Sequence, residues 1–187
     1  MPTDTAPEPA PSRRRVVDWS DPAIVAQAGR GLDGLAFLRA MMAGAVPPPP
    51  LIALLGIDLV SAEPGRVTMR MEAGEYLYNP LGSVHGGALA SLLDSVMGCA
   101  VHATLPQGRG YTKLEIKVNY LRAVTAASRP LTAVGEIVHA GRRQAVAEAR
   151  LTDGAGRLCA TASTTCLLLD ASPPAPDPVV AAWTRIS

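Results

Sequence analysis

One apolar stretch, from about Gly86 to Ala103, constrains the fold more than any other part of the chain. Helix breakers follow it at Pro106 and Gly108, and Pro80 precedes it, so the pattern predicts one long helix. Its apolar side chains cover most of the helix circumference: Leu89, Leu92, Leu93, Val96, Met97, Ala100 and Val101. A helix that is apolar nearly all round has to be surrounded by other structure, so the rest of the chain must wrap around it.

Six segments with strand patterns flank this helix, two before it and four after it. Alternating or continuous apolar residues mark them: 57–62, 66–72, 113–120, 131–139, 145–151 and 158–169. Short turns separate the last four, which predicts that they are antiparallel neighbours. The sequence thus predicts an α+β fold, an antiparallel sheet of about six strands wrapped around a long central helix. An uncovered sheet edge or back face would favour pairing with a second subunit.

Composition divides the chain into four segments. Residues 1–20 are Pro-rich, end near the basic triplet 13–15, and are predicted to be a disordered tail. Residues 21–47 form a helical extension, 48–170 hold the sheet and central helix, and 171–187 form a second Pro-rich tail.

Two short helices are predicted before the first strand. Asp33 precedes apolar residues at helical spacing (Leu35, Leu38, Met41 and Met42), in a helix that ends before the proline run 47–50. Residues 51–55 form a further helical turn, which Gly56 stops.

Charge and composition exclude several classes of protein. The net charge is +1 with no long Lys/Arg tract, which argues against nucleic-acid binding. No run approaches the roughly 20 apolar residues that a membrane span needs. Residues 1–11 lack the apolar core of a signal peptide, and the cysteines at 99, 159 and 166 lie in apolar segments without a CxxC pair. These features predict buried thiols, no metal site and a cytoplasmic location.

One carboxylate, Asp94, lies within the apolar helix, on a stripe of small or polar residues shared with Ser91, Ser95, Gly98 and His102. Because burying a charged carboxylate is costly, Asp94 needs either a structural partner, such as Ser91 or a backbone donor, or a function. His102 and His139 join no constellation with it and are assigned structural roles.

The Gly86-Gly87 pair opens the same helix and would present free N–H groups at the positive end of its dipole. Glycine also lets a substrate carbonyl approach without a Cβ in the way, although a tight loop-to-helix turn explains the pair equally well. Together with Asp94, the pair resembles half of an acyl-transfer site, with a place for an oxyanion and a group that attacks or activates water.

The distance between Gly86 and Asp94 along the helix has a consequence for the number of subunits at the site. Asp94 lies eight residues past Gly86, which is about 12 Å along a helix at about 1.5 Å per residue. A reacting carbonyl must lie about 3 Å from both the donor and the attacking group. If both act on one substrate, Gly86 of one subunit must meet Asp94 of another.

The order Asn79, His85-Gly86-Gly87, Asp94 and Thr112 resembles the PaaI-like (phenylacetyl-CoA thioesterase-like) family of hotdog-fold thioesterases. The similarity covers roughly residues 48–169. It implies a hotdog fold, a homodimer or homotetramer, and hydrolysis of an acyl-CoA thioester without a metal or redox cofactor.

By position, the resemblance also implies roles for five residues. The Gly86 N–H would hold the thioester oxygen, Asn79 would support its polarisation, and His85 would orient the loop near the leaving sulfur. Asp94 of the facing subunit would be the nucleophile or general base, with Thr112 positioning the attacking water. Turn formation at Asn79, a loop contact of His85 and the strand preference of Thr112 are the plainer alternatives.

Arg142 and Arg143 at a hairpin tip are candidates for binding the phosphates of coenzyme A, or are simply solvated.

Two rival functions stay open. A hydratase or dehydratase of acyl thioesters on the same fold is one rival function. A non-catalytic acyl-CoA-binding protein is the other.

Overall fold

The computed structural model describes residues 12–170; part of the predicted N-terminal tail and the whole of 171–187 lie outside this range. The helices are α1 (Pro22–Gly31), α2 (Gly34–Met42), α3 (Pro50–Leu55) and α4 (Gly86–His102). The strands are β1 (Ile57–Glu63), β2 (Arg66–Met71), β3 (Arg109–Tyr120), β4 (Leu131–Ala140), β5 (Gln144–Thr152) and β6 (Leu158–Asp170). These bounds confirm the predicted central helix and six strand segments to within a few residues.

The strands form one six-stranded antiparallel sheet in the order β1-β2-β4-β5-β6-β3. The predicted sheet is therefore confirmed, but one neighbour relation is wrong, because β3 pairs with β6 and not with β4. Residues 121–130 separate β3 from β4, and this connection is long enough to cross the sheet. At its start the N–H groups of Leu121 and Arg122 both donate to the Cys159 carbonyl, which keeps it beside β6.

Helix α4 fills the concave face of this sheet, as its all-round apolar character requires. Nine of its residues are buried: Ala88, Leu89, Leu92, Leu93, Val96, Met97, Gly98, Ala100 and Val101. Gly135 of β4 lets the helix approach closely, since a Cβ at that position would lie 2.7 Å from the Val96 carbonyl oxygen and 3.0 Å from the Met97 nitrogen. The helix backbone thus rests directly on the middle of the sheet.

The extension before β1 packs at the far end of α4. The Asp33 side chain caps α2 by accepting from the Ala36 N–H at 2.8 Å, as predicted, and the Gly34 N–H donates to the Leu105 carbonyl at 3.0 Å. Helix α3 ends at Gly56, whose φ of +66° is a left-handed conformation that favours glycine.

Helix α1 falls within the predicted extension but was not predicted as a separate helix. Its sequence, PAIVAQAGRG, is dominated by small residues, and within the described chain it buries none of them. Its two large apolar side chains, Ile24 and Val25, are too few to mark a helical repeat in the sequence.

Candidate active site

The start of α4 holds one free backbone donor. His85 caps the helix, and its Nδ1 accepts a hydrogen bond from the Gly87 N–H at 2.9 Å. The Gly86 N–H, by contrast, meets no acceptor among residues 12–170. The sequence predicted two available N–H groups, and the structure leaves one, at the positive end of the helix dipole.

The Gly86 donor opens onto a cavity of about 380 Å³, which Asn79, Leu89 and Tyr120 also line. The Tyr120 hydroxyl donates to the Gly86 carbonyl at 2.8 Å. A Cβ at Gly86 would lie 3.1 Å from the Tyr120 ring, so glycine keeps this entrance open. A carbonyl oxygen of a ligand in the cavity could therefore approach the free N–H.

Asn79 shapes the loop that leads into this helix. Its Oδ1 accepts from the Leu81 N–H at 2.9 Å and from the Ser83 N–H at 3.3 Å, and its Nδ2 donates to Ser83 Oγ at 3.1 Å. These contacts are turn chemistry, the plainer of the two interpretations of Asn79. The same side chain nevertheless lines the Gly86 cavity.

Asp94 has a partner that the sequence did not predict. Lys113 Nζ lies 2.5 Å from Asp94 Oδ2 and donates to the Asp94 main-chain carbonyl at 2.7 Å. Ser91, the expected partner, donates to the Gly87 carbonyl instead. The Asp94 and Lys113 side chains are 41% and 20% exposed, so the pair lies at the edge of the interior and is reached by solvent.

A β-bulge explains why Lys113 was missed. Along β3, Leu114, Ile116, Val118 and Tyr120 alternate with polar residues, and unbroken alternation would put Leu114 on the face toward α4 and Lys113 on the other face. The pairing of β3 with β6 shifts register between Lys113 and Glu115, which leaves Leu114 as an extra residue, exposed to solvent. One inserted residue reverses the face of every side chain before it.

Thr112 is not brought to Asp94 within the chain. Its neighbours Tyr111 and Lys113 face α4, since a Cβ on Gly98 would lie 2.5 Å from the Tyr111 hydroxyl and 2.9 Å from Lys113 Nζ. Thr112 therefore points to the opposite face of β3, where it is exposed.

Asp94 opens onto a second cavity, of about 450 Å³, which Ser95, Cys99, Tyr111 and Lys113 also line. Burial raises the pKa of the Cys99 thiol to about 12 and raises the pKa of Tyr111 above its usual value. Both groups are therefore neutral at physiological pH. Within residues 12–170, no described cavity is lined by both Gly86 and Asp94.

The remaining candidates lie apart from this cavity. Arg142 and Arg143 are exposed at the tip of the β4–β5 hairpin, and Arg109 Nη2 donates to the Arg142 carbonyl at 3.1 Å. The tip thus lies beside the start of β3. His102 packs edge-on against Phe37, with ring centroids 5.4 Å apart, and burial lowers its pKa.

Comparisons with known proteins place this geometry in a family. The family model of the thioesterase superfamily matches residues 81–160, which span α4 with Asp94, strands β3 to β5 and the first residues of β6. A conserved Pseudomonas aeruginosa protein of known structure is 37% identical, with a TM-score of 0.61, over 65% of this chain and 95% of its own. The chain belongs to the thioesterase superfamily.

Further relatives fit this superfamily assignment. A 1,4-dihydroxy-2-naphthoyl-CoA hydrolase of Listeria monocytogenes is 29% identical over 56% of this chain and 83% of its own. A phenylacetic acid degradation-related protein of Ralstonia eutropha is 29% identical with a TM-score of 0.64, over 70% and 98% of the two chains. A Streptococcus mutans protein bound to acetyl CoA is 27% identical with a TM-score of 0.57, over 63% and 91%. The predicted PaaI-like resemblance and hotdog fold are confirmed.

Residues 12–170 were compared with the requirements for a membrane-spanning helix and for a metal site. Between residues 12 and 170, no helix is long and apolar enough to cross a membrane. The same residues contain no group of three or more His, Cys, Asp or Glu side chains that could hold a metal ion.

Proposed function

We propose that this chain hydrolyses an acyl-CoA thioester to a free acid and coenzyme A. The observation that carries the proposal is the Gly86 N–H at the start of α4, which has no acceptor among residues 12–170 and lies on the same helix as the Asp94 carboxylate. A free donor suits the oxygen of a carbonyl under attack, and a carboxylate can attack or activate water. The CoA-thioester hydrolase and the acetyl CoA complex among the relatives support coenzyme A as the leaving group.

The reaction begins with the substrate carbonyl oxygen accepting from the Gly86 N–H. In one route, an Asp94 oxygen attacks the carbonyl carbon, the carbon–sulfur bond breaks, and the thiolate leaves with a proton from solvent. Water then hydrolyses the mixed anhydride and regenerates the carboxylate. In the other route, Asp94 takes a proton from a water that attacks the same carbon directly; the carbon–sulfur bond then breaks, and Asp94 returns the proton to the leaving thiolate.

Lys113 supports either route by holding the Asp94 carboxylate in place through one hydrogen bond to Oδ2, while a second joins Lys113 Nζ to the Asp94 main-chain carbonyl. His85 and Asn79 act by fixing the loop before α4, and Asn79 faces the cavity that would receive the carbonyl. For Thr112 the family implies a water-positioning role, and this is the assignment with the least support, because the side chain faces away from Asp94 of its own chain.

We also propose that two subunits share each site. Gly86 and Asp94 line different cavities, about 12 Å apart along α4 at about 1.5 Å per residue. In the described sheet β3 is an edge strand, and its apolar side chains at Leu114, Ile116 and Tyr120 are exposed. A long edge with exposed apolar residues favours pairing with a second copy, which would bring one chain's helix start toward the other's Asp94.

Gly86→Pro tests the oxyanion role with little cost to the helix. Proline is tolerated at the first helical position, and it removes the N–H. His85 has φ −60° and ψ 133°, which is compatible with a following proline. The matched control is Gly86→Ala, which adds a Cβ against Tyr120 but keeps the N–H. We expect thiol release from acyl-CoA to be lost in Gly86→Pro and retained in Gly86→Ala.

Mixing inactive variants tests the shared site. Co-expressed Gly86→Pro and Asp94→Asn chains form mixed dimers in which one site combines both intact residues. We expect about a quarter of wild-type activity, because about half of randomly paired dimers are mixed and each has one intact site. No recovery in demonstrably mixed dimers would place both residues in one chain's site and refute sharing.

A panel of acyl-CoA thioesters separates the rival functions. A hydrolase releases thiol that a colorimetric reagent detects, and the release disappears in Asp94→Asn. Loss of the double bond of an enoyl-CoA, without thiol release, would indicate a hydratase. Binding without either reaction would indicate an acyl-CoA sensor.

A further inference from the structure

The three helices before β1, two of them in the helical extension, supply much of the wall of the cavity at Asp94. Its walls include Val25 and Ala26 of α1, Phe37 and Met41 of α2, and Ile52 of α3. Two sheet residues, Leu59 and Met69, close the opposite side. The extension therefore does more than cover the end of α4, because it encloses space next to the candidate catalytic carboxylate.

The lining of this cavity is sharply divided. One end holds the polar groups of Asp94, Lys113, Tyr111 and Ser95, and the remaining wall is almost wholly apolar. Its volume of about 450 Å³ falls within the range of pockets for small ligands. An apolar group with a polar reacting end would match this division.

The part of the wall formed by α1 is less deeply buried than the part formed by α2. Within the described chain α1 buries none of its residues, and Gly29 faces the Phe37 ring at 3.7 Å from an added Cβ. Leu38 of α2, by contrast, is 1% exposed and anchors that helix to the core. Side chains on α1 can therefore change the cavity with little effect on the rest of the fold.

We propose that the extension, and α1 in particular, forms the acyl-binding pocket and selects an apolar acyl group larger than acetyl. This inference rests on the proposed hydrolase function, since it places the acyl carbonyl near Asp94. The apolar chain or ring of the substrate lies under α1 and α2. Coenzyme A extends away from it toward the facing subunit.

Two opposite substitutions test this pocket in the full-length protein. Ala26→Phe adds a ring to the α1 wall and should exclude large acyl groups, whereas Phe37→Ala removes one and should admit larger groups. Ala23→Phe is the matched control, because Ala23 is exposed on the same helix and does not line the cavity. Acetyl-, octanoyl- and benzoyl-CoA serve as substrates, and the two larger ones distinguish a chain from a ring.

For wild type we expect kcat/KM to be higher with octanoyl- or benzoyl-CoA than with acetyl-CoA. In Ala26→Phe this preference should fall by about tenfold or more, since the fit of small apolar groups changes specificity by about 10- to 200-fold. Ala23→Phe should keep the wild-type preference, and Phe37→Ala should shift it toward longer chains. An unchanged preference in folded Ala26→Phe and Phe37→Ala would overturn the pocket assignment.

A binding measurement separates failure of this inference from failure of the proposed function. Non-hydrolysable thioether analogues of the three substrates, in which a methylene replaces the thioester carbonyl, are titrated into each variant by calorimetry. If wild type hydrolyses nothing, the hydrolase proposal fails. The pocket assignment still stands if Ala26→Phe weakens octanoyl and benzoyl analogues but not the acetyl one, and it falls if all three are affected alike.

Discussion

The close approach of α4 to β4 makes Gly135→Ala a sharp test of the central packing. The added Cβ would lie 2.7 Å from the Val96 carbonyl oxygen and 2.8 Å from its carbon, both backbone atoms of a buried helix. Side chains that rotate away cannot relieve such a contact. The helix itself would have to retreat by about 0.7 Å to reach ordinary separations.

The cost follows from what that retreat disturbs. Overpacking of a filled core typically lowers the free energy of unfolding by about 1–3 kcal/mol. Replacing glycine by alanine returns about 0.4–1 kcal/mol by restricting the unfolded chain. We therefore expect a net loss of about 1–2 kcal/mol. For a chain of this size, that corresponds to a melting temperature lower by about 2–8 °C.

The matched control is Gly110→Ala in β3. It is also a strand glycine outside the left-handed region, and among the described residues no heavy atom lies within 4 Å of its added Cβ. Thermal and urea unfolding of both variants is followed by circular dichroism at one protein concentration, because association shifts apparent stability. Equal stability of the two variants would refute the close helix–sheet contact.

Three other predictions concern the site and its surroundings. Lys113→Met should lower kcat about tenfold, equivalent to about 1.4 kcal/mol, with partial recovery in Lys113→Arg, since the ammonium orients Asp94; kcat equal to wild type in folded Lys113→Met would contradict this role. Burial lowers the pKa of His102, so below about pH 6.5 the unfolded chain binds a proton that the folded chain does not. The free energy of unfolding is therefore highest above about pH 6.5, and part of it is lost on acidification. Denaturant unfolding at pH 7.5 and 5.5 should show this loss shrinking in His102→Gln but not in His139→Gln, where the histidine is exposed; equal losses in the two variants would argue against it. Cys99 is only half-buried, but the pKa of about 12 of its thiol predicts slow alkylation by iodoacetamide at pH 8 in the native state and fast alkylation in urea, measured by peptide mass spectrometry; rapid native labelling would contradict the raised pKa.

Local patterns were sufficient to predict the helices and strands of this fold other than α1. The breakers around α4, the cap at Asp33 and the stop at Gly56 each act within a few residues, so their structural effects could be predicted. The neighbour of β3 could not be predicted in this way. Alternation indicates a strand but not its partner, and the connection 121–130 allows either a hairpin or a crossing.

The candidate site was predicted where it depends on the start of one helix, and missed where it depends on contacts between distant segments. The Gly86 donor and the cap by His85 follow from local sequence. Lys113 reaches Asp94 because a single extra residue at Leu114 reverses the side-chain faces of the preceding part of β3. The cavity walls supplied by α1 and α2 come from segments some 60 residues before Asp94, which no motif links to it.

The position of β3 has a consequence for synthesis of the protein. Its sole partner in the described sheet, β6, is the last strand of that sheet along the chain and ends at Asp170. While the ribosome is still producing β4 and β5, the apolar α4 has no complete cover, and β3 has no strand to pair with. We expect the nascent chain to depend on holding chaperones until β6 emerges and pairs with β3.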